Sequence, residues 1–206
     1  MKALAAGNET AAGRKNSYGS GQGTIVLPFP TGAESVNPFM IALKLPEIKY
    51  FMNQLLCTET FDNFLLQEAV IQKDITFHID GRLNSGYYNE EELEVLSLTG
   101  LAFLPFGKVR SHCFDLVKGK RTPSYFKFVF LLSPTNLTRT VEQAHTSFTP
   151  ADVTAMYINL TFQNGELHLT TGVSYRIFSA DKSLEHEWDR MVRLFLKNHE
   201  ITSEEY

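Results

Sequence analysis

Asn164-Gly165 constrains this chain more than any other pair of neighbours. Both residues tolerate positive φ, and they lie between Ala155–Phe162 and Glu166–Thr170. That arrangement specifies a tight two-residue hairpin. A chain committed to such a hairpin must supply further strands beside it and helices to cover it. Tyr125–Leu132, nearly continuous in apolar and aromatic residues, is the strongest of these strands. Ile41–Leu45, Phe64–Ile71 and Ile75–Ile79 add three more, the last two joined by Gln72-Lys73-Asp74. Val173–Phe178 reads as a separate strand after the hairpin.

Helical periodicity fills the intervals. Ile48, Phe51, Met52, Leu55 and Leu56 recur at three and four positions behind Pro46, which the first turn of a helix accepts. Asn89 with Glu92 forms a capping pattern, Val109–Val117 reads as a short helix, and Ser133-Pro134 opens another with Leu137 and Val141 inward. The last helix spans Ser183 to Asn198, with Leu184, Trp188, Met191, Val192 and Phe195 in one stripe. Glu185, His186 and Asp189 read as its solvated face, with Asp189 paired to Arg193. Leu98–Phe106 is apolar but broken by Gly100 and Pro105, and its state stays open.

The fold class that follows is α+β. Hydrophobic types make up 43% of 206 residues and aromatic types 12%, enough for a core without disulfides or metals. Cys57 and Cys113 are far apart and form no metal-like cluster, so they read as free thiols in a reducing compartment. No stretch is apolar for long enough to span a membrane, and the N-terminus lacks a secretion signal pattern. The expected location is cytoplasmic.

Residues 1–39 hold six of the 13 glycines and are expected to form a disordered leader. Folded structure is expected to begin at Met40, which reads as the natural start, the rival reading being a genuine disordered tail. Residues 40–206 then form a single α+β domain, with subunits at 40–106 and 124–199. Each half has the order strand, helix, strand, strand, so the domain reads as two repeated units packed together.

That order resembles the subdomains of DNA sliding clamps, and Met156–Thr171 resembles their hairpin before an active-surface strand. The resemblance implies a clamp-like module that reaches a ring only by oligomerising. Phe61-Asp62-Asn63-Phe64-Leu65-Leu66, Lys118-Gly119-Lys120-Arg121-Thr122-Pro123, and Thr171-Gly172 with the stretches Phe178–Glu185 and Trp188-Asp189 are similar to an uncharacterised family from clostridia and related Firmicutes. That similarity runs from Met40 onward and implies no activity.

The chemistry-bearing candidate is the basic segment. Lys108, Arg110, Lys118, Lys120, Arg121 and Lys127 face one acid, Asp115, with Phe114, Tyr125 and Phe126 interspersed. Cations among aromatic rings suit a phosphate backbone and its bases. The bland alternative is a solvated loop. The full chain carries net charge -4, so binding DNA or another polyanion requires the cations to be segregated. His78 and Asp80 share one strand face and form a weaker candidate for proton transfer. No Walker loop, nucleophile elbow or dinucleotide fingerprint occurs, and no cofactor or metal is implied. The leading expectation is a non-enzymatic binding or scaffold protein. The alternatives are a protein-protein adaptor docking through Leu98–Phe106 or self-associating, and an enzyme with an unfamiliar site at His78 and Asp80.

Overall fold

A computed structural model describes residues 41–205. The expected leader and the start at Met40 lie outside the described residues. Within them the chain runs β1 (Ala42–Lys44), α1 (Ile48–Cys57), β2 (Leu65–Gln72), β3 (Thr76–Asp80), α2 (Glu90–Val95), α3 (Phe106–Val117) and β4 (Tyr125–Leu131). It continues through α4 (Pro134–Gln143), β5 (Val153–Gln163), β6 (Glu166–Tyr175), α5 (Ser183–Asn198) and β7 (Glu204–Glu205). All seven strands join one antiparallel sheet in the order β3-β2-β4-β5-β6-β1-β7. The mixed α+β class is as the sequence indicates.

The hairpin forms where Asn164-Gly165 places it, with φ of 54° and 81° at the two residues. Positive φ at both central positions matches the right-handed twist of the flanking strands. β6 departs from expectation because it runs unbroken through Thr171-Gly172 to Tyr175. Gly172 leaves room for the Tyr157 ring, which lies across it from β5, so the glycine marks a close approach and no strand end. Ile177 and Phe178, expected in a strand, lie beyond the end of β6 at 49% and 100% exposure.

The two halves of the chain do not build two like units. β4, β5 and β6 are contiguous, whereas β1 separates from β2 and β3 and pairs with β6 on the far side. Its reason for doing so is burial: Leu43 lies opposite Leu169, and both are at most 1% exposed. Sequence order alone carries no information about which sheet edge a three-residue strand will join.

One face of the sheet carries Phe126, Phe128, Phe130, Ile158, Leu160, Leu167 and Leu169, all buried. The helices cover this face. Phe106 of α3 meets Phe130 edge-on at 5.0 Å. Phe61, between α1 and β2, contacts Phe51, Phe130 and Phe195. Trp188 anchors α5, its indole N–H donating to the Tyr157 carbonyl at 3.1 Å. The other face is the more open one, although Leu65 and Val129 on it are buried. Across it runs the row His78, Val70, Lys127, Thr161, His168, Lys44, Glu204, one residue from each strand.

Glu185 and Asp189 overturn the expectation of a solvated face on α5. Both are buried against β6. Tyr175 donates its hydroxyl proton to Glu185, which also accepts from Lys182 Nζ at 2.9 Å. Thr171 Oγ1 donates to Asp189, and Arg193 pairs with Glu205. Which side of the helix meets the sheet is set by Leu184, Trp188 and Val192, and the acids share that side. Burial raises the Asp189 carboxyl above its ordinary value of 3.8, with Thr171, the Ile41 amide, Arg193 and His186 opposing. The folded chain therefore holds this proton more tightly than the unfolded one. The group favours folding below 3.8, and that contribution is lost as pH rises through the raised folded value. Asp189→Asn is expected to flatten the pH dependence of urea stability across that window.

Leu98–Phe106 resolves into a strap. Leu104 N donates to the Gly81 carbonyl at 2.8 Å and Leu66 N to the Leu104 carbonyl at 2.9 Å, while Leu98 and Phe106 are at most 1% exposed. The segment is held on both sides by backbone bonds, with its ends buried and Thr99, Gly100 and Ala102 exposed.

A candidate polyanion-binding corner

The six basic residues of the sequence candidate fall in three places. Lys108 and Arg110 lie in the first turns of α3, where Arg110 Nε stands 2.9 Å from Asp62 Oδ1. Lys118, Lys120 and Arg121 lie in the loop from α3 to β4, beyond the other end of a 12-residue helix about 18 Å long. Lys127 lies on the open face of β4, paired with Glu68 at 2.9 Å. Helix length therefore separates Lys108 and Arg110 from the loop.

The loop is a defined structure. Lys118 caps α3, its N–H donating to the Phe114 carbonyl at 2.8 Å. Its Nζ meets Asp115 at 2.7 Å and stands 5.7 Å from the Phe114 ring centroid. Gly119 then turns the chain at φ 143°, a value that leaves side chains strained. Pro123 is buried, and Ser124 N donates to the Gln72 carbonyl at 2.9 Å, which fastens the loop to the β2–β3 hairpin.

That fastening brings in a residue the sequence reading missed. Lys73, at the hairpin turn, donates from Nζ to the Lys118 carbonyl at 3.1 Å. The only sequence sign was its polar turn, 45 residues away from Lys118. Lys73 thus stands against the loop that carries Lys118, Lys120 and Arg121, with Asp74 next to it in the chain and Asp115 on Lys118. Lys120 and Arg121 are exposed and make no ion pair among the described residues. Tyr125 begins β4 beside them, between Gln72 and Gln163 on the open face, with Lys127 two positions on.

His78 and Asp80 do share the open face, in a shallow depression of about 260 Å³ with Glu68 and Arg82. Asp80 Oδ1 accepts from the Arg82 amide at 2.9 Å, and Asp80 lies opposite Glu68. Both His78 and Asp80 are exposed. No group of three His, Cys, Asp or Glu side chains suited to a metal ion occurs among the described residues. Cys57 is exposed, whereas Cys113 is buried, and burial pushes its thiol up to about 12, which keeps it protonated and unreactive. A further apolar cleft of about 260 Å³ opens between α4 and α5, floored by Ile158 and Trp188 with Arg139 at its rim. No described helix is long and apolar enough to cross a membrane.

A family of unknown function, DUF5721, matches residues 54–204, and the chain belongs to that family. No curated protein and no solved structure matches it.

Proposed function

We propose that this member of a family of unknown function is a non-enzymatic binding protein that takes a polyanion, nucleic acid foremost, at the corner of Lys73, Lys118, Lys120 and Arg121. The observation that supports the reading is the contact between Lys73 Nζ and the Lys118 carbonyl, which adds a cation from the β2–β3 hairpin to the loop of Lys118, Lys120 and Arg121 on a chain of net charge -4. Such local concentration is what attracts phosphates to an acidic protein. Tyr125 and the polar open face continue from the corner, giving bases a surface on which to lie. Lys108 and Arg110 are left out of the site, being at the far end of α3. A clamp-like ring is left out as well, because one sheet mixes strands from both halves.

The test is binding of labelled single- and double-stranded DNA to the full chain across a salt series. Wild-type affinity is expected to fall steeply with salt. Changing Lys118, Lys120 and Arg121 together to alanine is expected to reduce the logarithmic salt slope by about 2 to 3, one phosphate contact per lost cation. Lys108→Ala should leave affinity within about twofold, because it removes no contact to the ligand. Binding that is absent at low salt, or equal in the triple variant, would remove the polyanion reading.

A further inference from the structure

The two edges of the sheet differ in kind. β7 is two residues long and consists of glutamates, which guards that edge against pairing. β3 is five residues long, Thr76-Phe77-His78-Ile79-Asp80, and contains no lysine, proline or bulge. It is the last strand of the sheet, and no described strand pairs with its outer side. Ile75, just before it, is 60% exposed.

The backbone groups on that outer side can be assigned. Gly81 N donates to the Gln67 carbonyl at 3.1 Å, so this pair is hydrogen-bonded across β2 and β3. Bonded and non-bonded pairs alternate along an antiparallel ladder. Ile79 opposite Ala69 and Phe77 opposite Ile71 are therefore also bonded to β2. Thr76, His78 and Asp80 point their amides and carbonyls outward.

We propose that this edge pairs with the same edge of a second copy, antiparallel and centred on His78. In that register His78 lies opposite His78 of the second copy and Thr76 opposite its Asp80. All the outward backbone groups of the three residues then find partners, about six hydrogen bonds in total. Phe77 lies opposite Ile79 of the second copy on the helix-covered side, where both are only half-buried in one copy. Two positions beyond the strand, Asp74 approaches Arg82 of the second copy. Arg82 makes no ion pair among the described residues, so the register matches opposite charges twice about the dyad. A self-complementary patch of this kind generates a closed dimer. The sheet becomes continuous through both copies and carries both basic corners. The pairing does not depend on the polyanion reading.

The experiment is sedimentation equilibrium of the full chain from low to high micromolar concentration, with three variants. Wild type is expected to dimerise. His78→Pro removes only an outward amide, so the monomer keeps its circular dichroism and melting temperature while the dimer is lost. Arg82→Glu sets like charges against each other and is expected to weaken the dimer about tenfold. The swap Asp74→Arg with Arg82→Glu is expected to restore it. A chain that stays monomeric throughout, a dimer indifferent to His78→Pro, or a swap that restores nothing would each overturn the proposal.

Discussion

Phe61→Ala is expected to lower the stability of the folded chain by about 4 kcal/mol, near the upper part of the range for removing a buried aromatic ring. Phe61 belongs to no helix or strand, yet it is 0% exposed. Its ring centroid lies 5.6 Å from Phe51, 5.9 Å from Phe64, 5.7 Å from Phe130 and 5.4 Å from Phe195. Those four rings belong to α1, the approach to β2, β4 and α5, so one side chain fills the junction of four parts of the core. Two of the contacts, to Phe51 and Phe195, are edge-on, the geometry that places a ring's positive rim against a neighbour's negative face. Removing the ring leaves a cavity walled by side chains on four separate elements, and no single shift closes it. Urea unfolding of wild type and variant gives the difference directly. Phe61→Leu, which keeps much of the volume, is expected to cost about 1.5 kcal/mol. A loss below about 1 kcal/mol for Phe61→Ala would mean that the junction collapses freely, contrary to the packing described.

The second large effect is expected from a single added methyl group. Gly81→Ala should cost about 3 kcal/mol, at the high end for overpacking. A Cβ on residue 81 would overlap the carbonyl of Leu66 and come within 3.2 Å of the Leu66 Cβ. Neither chain can retreat. Gly81 is bonded to Gln67 through its N–H and to Leu104 through its carbonyl, and Leu66 N is bonded to Leu104 in turn. Leu66 itself is 0% exposed. The obstacle is space alone, since no positive φ occurs at this glycine. The strain falls where β2, the end of β3 and the strap meet, so hydrogen exchange should accelerate in Thr76–Asp80 before the centre of the sheet. Gly100→Ala makes a useful contrast: nothing lies within 4 Å of its added Cβ, and its cost comes from φ 75° alone. Thermal unfolding that ranks Gly100→Ala as the more harmful of the two would contradict the crowding at Gly81.

The candidate site was legible only in part. Lys118, Lys120 and Arg121 are neighbours in the chain and remain neighbours in space, because a loop that short cannot disperse them. Lys108 and Arg110 are also near in sequence, but a rigid helix intervenes and turns proximity in the chain into separation. Lys73 shows the opposite case, distant in sequence and joined by one hydrogen bond. The β3 edge was likewise hidden. Ile75–Ile79 reads as a strand like any other, and nothing local says that it ends the sheet.

What the sequence determined by itself was short in range. Asn164-Gly165 made a hairpin because only residues tolerant of positive φ close so tight a turn. Asn89 with Glu92 made the start of a helix because each side chain reaches the other's backbone amide. The stripe of Leu184, Trp188 and Val192 became the buried side of α5. Tertiary structure decided what lies across the sheet. It sent β1 past β6, carried β6 through Gly172 under the Tyr157 ring, and drew Glu185 and Asp189 into the interior. Turns and caps are settled by energies among residues a few positions apart. Strand order and the burial of a charge are settled by contacts that exist only after the chain has closed on itself.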